Sequence, residues 1–147
     1  KERIPPMLTS RDLMQLEDRY RSLRESLNAL TDALLHSRDE AELLDAFRAS
    51  GQIAIAFFRE EEAAMTECHC PAEQANKIGH KTFMHELGTL LHEYRHFGSG
   101  IPVATKVRRD LLAWLHEHHR VVDHQMTHQV QKLGRSGETS VMVKMAS

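Results

Sequence analysis

The sequence predicts an all-α protein, folded as an up-down-up-down antiparallel four-helix bundle. Apolar residues recur every three or four positions in four long segments, which is typical of helices with one buried face. The joints between these segments are short, and short joints make consecutive helices antiparallel neighbours. Aromatic residues make up only 5% of the 147 residues, while Leu and Ala dominate the apolar set and favour helix over sheet. A chain of this length fits a single domain over residues 1–147.

The first two helices are predicted over residues 10–36 and 39–67. Short polar side chains stand before each of them and can accept the free N–H groups of a first turn. The candidate caps are Thr9 or Ser10 for the first helix and Ser37 or Asp39 for the second. The buried stripes are Leu13, Leu16, Tyr20, Leu23, Leu27, Leu30 and Leu34 in the first helix, and Leu43, Phe47, Ala54, Phe57, Glu61 and Met65 in the second.

The third and fourth helices are predicted over residues 72–97 and 103–133. The segment of residues 67–71, Glu-Cys-His-Cys-Pro, ends the second helix, and the glycine- and proline-containing segment 98–102 is a strong stop after the third. The tail, residues 134–147, is expected to be loose or to lead towards something outside this chain. The buried stripes are Asn76, His80, Phe83, Leu87, Leu91 and Tyr94 in the third helix, and Val107, Leu111, Trp114, His118 and Val122 in the fourth.

Composition narrows the classes of function. The net charge of −2 and the lack of a basic stripe argue against a nucleic-acid partner. No apolar run approaches the roughly 18 residues of a membrane span, and the first residues contain no signal-peptide core, so a cytoplasmic protein without a membrane partner is expected. No nucleophile elbow, phosphate loop or catalytic triad is visible. We therefore predict no catalytic residue and no enzyme, with a metal-dependent oxidase-like activity as the remaining enzymatic alternative.

Three of the predicted buried stripes contain a residue that does not suit an apolar core: Glu61, His80 and His118. Asp123 follows His118 by five residues, so these two side chains point together only where the helix bulges locally. A buried carboxylate costs several kcal/mol unless it is compensated. A divalent metal compensates it well, and carboxylate and imidazole suit iron, manganese or zinc. The alternatives are a metal-free network of His and carboxylate groups, or side chains that face solvent.

Further histidines and both cysteines are candidates for secondary sites. Histidine pairs at i, i+4 spacing can share a metal, but such pairs are more often solvated. A peripheral zinc site and a redox-sensitive thiol pair are two functional interpretations of the cysteines, and two inert loop cysteines are favoured over both. The residues concerned are His92 with His96, His124 with His128, and Cys68 with Cys70.

Four stretches of the chain match the pattern of a known family. Residues 58–65 contain a Phe before paired Glu and a later Met, residues 76–83 are similar to His-Lys-x-x-His-x-x-Phe, and residues 114–123 are a Trp-Leu stretch with His and a following Asp. Residues 16–28 stand where that family has its first ligand. Together, these stretches resemble the hemerythrins, including the bacteriohemerythrin-like cation-binding domains, over roughly residues 13–130 with all intervals preserved.

The resemblance implies seven metal-binding positions, of which this chain keeps four. It implies that the two carboxylates bridge the metals and that the two imidazoles bind one of them. The other three positions hold a tyrosine, a phenylalanine and an asparagine in place of histidine. The retained residues are Glu61, Asp123, His80 and His118, and the replacements are Tyr20, Phe57 and Asn76.

These departures predict a reduced, mononuclear non-haem metal site, with iron favoured and zinc or manganese as alternatives. Asn76 is an additional candidate ligand through its carbonyl oxygen. The resemblance then implies a sensing, regulatory or binding role rather than dioxygen transport, with dioxygen or nitric oxide as candidate ligands and a homodimer or a fused signalling domain as candidate partners. The alternatives are a metal-free structural or protein-interaction module, and a di-metal site with Tyr20 as ligand.

Overall fold

The computed structural model describes residues 8–135, which form four helices and no strand. The first three helices are α1 (Ser10–His36), α2 (Glu40–Glu67) and α3 (Glu73–Phe97). The fourth, α4, runs through three successive segments, the α-helical Gly100–Lys106, the π-helical Val107–Leu112 and the α-helical Ala113–Arg135. The predicted all-α class with four helices is confirmed. Most of the predicted tail, residues 136–147, lies outside the described residues.

Polar caps fix the starts of the first two helices. Thr9 forms a capping box on α1, since its hydroxyl accepts from the Asp12 backbone N–H at 3.1 Å and its own N–H donates to the Asp12 carboxylate at 2.9 Å. The Asp39 carboxylate accepts from the Ala41 N–H at 3.0 Å and caps α2. Gly98 ends α3 in the left-handed region at φ 70°. The predicted candidates Thr9 and Asp39 therefore act as the caps.

The fourth helix begins at Gly100, three residues before the predicted start at 103. Pro102 lies in its first turn, where backbone N–H groups have no intrahelical partner, so the missing N–H of proline costs no hydrogen bond there. A Cβ on Gly100 would lie 2.0 Å from the backbone oxygen of Leu34. The start of α4 can therefore approach the end of α1 only because residue 100 has no side chain.

Replacing Gly100 by Ala is expected to lower the free energy of unfolding by about 1–3 kcal/mol, because the backbones of α1 and α4 must move apart. Gly88→Ala is the matched control, since a Cβ at this exposed helical glycine meets nothing within 4 Å. That control is expected to raise stability by about 0.5–1 kcal/mol through helix propensity. Urea unfolding of both variants measures the difference, and equal stabilities would contradict the close approach.

The buried residues form two apolar clusters with a polar layer between them. The larger cluster includes Phe58 and Leu115, and the smaller one includes Met65 and Val122. Glu61 lies between Phe58 and Met65 along α2, and His118 lies between Leu115 and Val122 along α4. The sequence thus places ionisable side chains in a layer that both apolar clusters shield from water. Within the described residues, no helix is both long and apolar enough to cross a membrane.

Candidate metal centre

Three buried side chains from three helices meet in this polar layer. The Oε1 atom of Glu61 on α2 lies 2.8 Å from Nε2 of His80 on α3 and 2.8 Å from Nε2 of His118 on α4. The two Nε2 atoms are 3.2 Å apart. Exposed fractions of the three side chains are only 5%, 4% and 9%, in the same order. Three atoms that ligate metals well therefore converge on one point.

The three distances have the size expected for atoms that share a metal ion. Two ligand atoms that are each about 2.1 Å from one metal, at bond angles of about 90–109°, lie about 3.0–3.4 Å apart. The distance of 3.2 Å lies within this range and the two distances of 2.8 Å are slightly shorter, and all three also suit hydrogen bonds. The distances fit both a shared metal ion and a set of hydrogen bonds, so the two arrangements must be distinguished by the positions of the protons.

Glu62, which the sequence analysis did not select, fixes one of these protons. Its Oε2 atom is 2.7 Å from Nδ1 of His80. An ionised carboxylate can only accept, so Nδ1 of His80 carries a proton and donates it to Glu62. In a neutral His80, Nε2 then bears a lone pair that faces Oε1 of Glu61, another acceptor. Either a second proton on His80 or a cation must stand between them, and a carboxylate behind a ligating imidazole is a common feature of metal sites.

Aromatic rings hold both imidazoles in place. Phe58 stacks on His80 with ring centroids 4.0 Å apart, and Trp114 stacks on His118 with centroids 4.4 Å apart. Gly79 makes room for the indole, because a Cβ at residue 79 would come within 3.1 Å of Trp114. The orientation of each imidazole is therefore fixed by packing as well as by hydrogen bonds. Trp114, the single tryptophan of the chain, is also a natural fluorescent reporter of this site.

The carboxyl of Glu61 is held in its charged form. Burial is the largest influence and on its own raises the pKa of Glu61, but hydrogen bonds from His118 and His80, together with their charges, lower the pKa below its usual value. A buried carboxylate ionised in this way needs a positive partner, which can be a metal ion or an imidazolium.

Asp123, the fourth predicted ligand, is exposed and lies outside this group. The prediction that four side chains converge is therefore met by three of them. The expected bulge between His118 and Asp123 is absent, since α4 is regular from Ala113–Arg135 and its π-helical segment lies earlier, at Val107–Leu112. Five residues of regular helix rotate by about 140°, which turns Asp123 away when His118 points inwards.

The three residues that the resemblance identifies as replacements, Tyr20, Phe57 and Asn76, are all buried. Phe57 belongs to the larger apolar cluster. Tyr20 stacks on His119 with ring centroids 3.7 Å apart, and it makes no hydrogen bond to Glu61, His80 or His118 among the described residues. Asn76 lies one helical turn before His80, and its amide has no hydrogen-bond partner in the described part of the chain.

Within the part of the chain that the structure describes, the remaining histidines and cysteines belong to no second set of three converging candidate ligands. Within the described range, Glu61, His80 and His118 are the only set of three candidate ligands that converges. His124 and His128 are exposed and line a surface groove of about 460 Å³ with Cys70. Both cysteines are buried in the smaller apolar cluster, so they are not a surface thiol pair. Burial, with the neighbouring Cys70, raises the pKa of Cys68 to about 11, which keeps this thiol protonated and poorly reactive at neutral pH.

Comparison with known proteins adds no relative. The chain matches no family model, no curated protein and no solved structure.

Proposed function

We propose that this chain is a hemerythrin-like domain with one non-haem metal ion bound by Glu61, His80 and His118, serving in sensing or binding rather than in dioxygen transport. The convergence of the three ligating atoms in a buried layer is the observation that supports this most directly. The set of two imidazoles and one carboxylate suits Fe(II) and also accommodates zinc or manganese. Such a metal would act as a Lewis acid with open positions for a small ligand such as dioxygen or nitric oxide.

The contacts between helices support the proposed up-down-up-down bundle. Each consecutive pair of helices has at least two such contacts. The contact that lies later along the first helix lies earlier along the second, as expected for antiparallel neighbours. The contacts are Gln15 with Glu60 and Ser26 with Ser50 for α1 and α2, Glu61 with His80 and Thr66 with Glu73 for α2 and α3, and His80 with His118 and Glu93 with Lys106 for α3 and α4.

A mononuclear site is favoured over a di-metal site by the surroundings of Tyr20 and Phe57. Phe57 offers no ligating atom and packs in the larger apolar cluster. The ring of Tyr20 stacks on the imidazole of His119. Asp123, which a two-metal site would use as a bridge, is exposed. A second ion would therefore lack most of its ligands.

Elemental analysis of protein purified without added metal tests the proposal. About one iron, zinc or manganese per chain is expected. About two ions per chain would instead support the di-metal alternative with Tyr20, and a metal-free protein that also fails to take up added Fe(II), Zn(II) or Mn(II) would overturn the proposal.

A second candidate is a metal-free structural or protein-interaction module. The observation that favours it is that Glu61 Oε1 can accept hydrogen bonds from both imidazoles at 2.8 Å without any ion. That arrangement requires His80 to be an imidazolium, because its two nitrogens then donate to Glu62 and Glu61. The metal-bound arrangement needs a neutral His80, so the two candidates differ by one proton on this ring.

The role of Glu62 gives a separate prediction. Glu62→Ala is expected to weaken metal binding by about 10- to 100-fold, because the carboxylate that orients His80 is lost. Glu62→Gln keeps an oxygen that can accept from Nδ1 and should recover part of that loss. Metal affinities measured with a competing chelator test this order, and equal affinity in all three proteins would exclude Glu62 from the site.

A further inference from the structure

Asn76 is a buried amide with no partner. Its residue is 4% exposed, and neither its Nδ2 nor its Oδ1 atom makes a hydrogen bond within the described residues. Leaving such groups unpaired costs on the order of 1–3 kcal/mol each, so native proteins rarely do so. The buried amide of Gln129 shows the ordinary solution, since its Nε2 donates to the backbone oxygen of His69 at 3.2 Å. Among the described residues, the amide of Asn76 therefore lacks the hydrogen-bonding partner that a buried amide requires.

The position of Asn76 indicates where such a partner would lie. Asn76 precedes His80 by four residues, and side chains at this spacing lie on one helix face with Cβ atoms about 5–6 Å apart. If the antiparallel pairing that joins His80 to Glu61 and His118 is continued by one helical turn, residue 76 falls at the level of Met65 and Val122, which are both buried and apolar. The side chain of Val122 has no polar atom, and the thioether of Met65 is at most a weak acceptor. The ligand residue nearest to Asn76 along its own helix face is His80, one turn away.

A metal ion alone does not satisfy this amide. A cation can bind the lone pairs of Oδ1, but it leaves both N–H groups of Nδ2 without an acceptor. A small oxygen ligand such as water or hydroxide can accept from Nδ2 and donate to Oδ1. A metal held by three protein atoms has open positions where such a ligand can bind.

We propose that Asn76 is the hydrogen-bonding subsite for a small exogenous ligand at the open coordination position of this centre. The resident ligand is water or hydroxide, and a small anion that accepts a hydrogen bond from Nδ2 can replace it. This inference rests on the proposed metal site. It assigns Asn76 to ligand selection rather than to metal binding.

Azide titration of the cobalt(II)-loaded full chain tests the subsite, because the visible spectrum of Co(II) reports both its uptake and its ligands. Asn76→Leu replaces the amide by an apolar group of the same branching. It is expected to keep Co(II) affinity but to weaken azide binding about three- to tenfold, the worth of one hydrogen bond. Loss of Co(II) binding would make Asn76 a metal ligand and overturn the inference. Unchanged azide affinity would overturn it while leaving the metal site intact. Failure of the unmodified chain to bind Co(II) would overturn both the Asn76 subsite and the proposed metal site.

Thermal unfolding of the metal-free protein gives a second readout that needs no ligand. Asn76→Leu is expected to raise the melting temperature, because it removes a buried amide that has no partner without the ligand. Gln129→Leu is the matched control, and it should lower the melting temperature because it removes a buried amide whose hydrogen bond is intact. A fall for both variants would mean that Asn76 is already satisfied within the protein, and the subsite would be rejected.

Discussion

Replacing His118 by Ala is expected to reduce the metal content from about one ion per chain to nearly none. Among the described residues, only three ligating protein atoms converge at the centre, so the loss of one leaves a carboxylate and a single imidazole. Removal of a residue that merely orients a ligand costs about 10- to 100-fold in affinity, and removal of the ligand itself should cost more. Elemental analysis after dialysis measures the content, with metal affinity determined by chelator competition.

His116→Ala is the matched control for this experiment. His116 lies on the same helix two residues earlier, and it is exposed. Its replacement should leave the metal content unchanged. Trp114 supplies an independent signal, since its ring stacks on His118 at 4.4 Å and a paramagnetic ion at that imidazole should quench its fluorescence. A His118→Ala protein that keeps its full metal content would show that the ligands have been assigned to the wrong residues.

The helices and three members of the site could be predicted because they follow from local rules. Helical periodicity set the buried faces, and the caps Thr9 and Asp39 set two helix starts. Glu61, His80 and His118 could be predicted because a polar residue on a buried stripe needs a partner inside the protein. That reasoning requires only the helical period and the rule that burying a polar side chain without a partner is unfavourable.

The rest of the site depends on geometry that the sequence does not display. A helix bulge changes which side of the helix every following residue faces. The π-helical turn lies at Val107–Leu112 rather than beyond His118, and no feature of the sequence indicates this position. The prediction for Asp123 failed for this reason. Glu62 was missed because an acidic run on a helix looks like a solvated face. Its side chain is partly exposed, yet its tip reaches the buried ring of His80.

Glu61→Gln is the substitution expected to separate the metal site from the metal-free network. The amide keeps nearly the shape of the carboxylate and can still accept hydrogen bonds through one oxygen, but it carries no charge. If Glu61 binds a metal ion, the loss of a charged ligand should lower metal affinity by more than about 100-fold. That is a larger loss than the removal of a residue that only orients a ligand causes. Glu60→Gln is the control, because its partly exposed ion pair with Arg19 should contribute no more than about 1 kcal/mol.

The metal-free network makes the opposite prediction for the same variant. Without an ion, Glu61 is the acceptor for a charged His80, so Glu61→Gln removes the partner of a buried cation and the main effect falls on folding. Breaking a buried pair in this way costs about 3–5 kcal/mol. Urea unfolding and metal affinity measured on one preparation distinguish the cases. A large loss of affinity with little loss of metal-free stability supports the metal centre, and a large loss of stability in a chain that never binds metal supports the network.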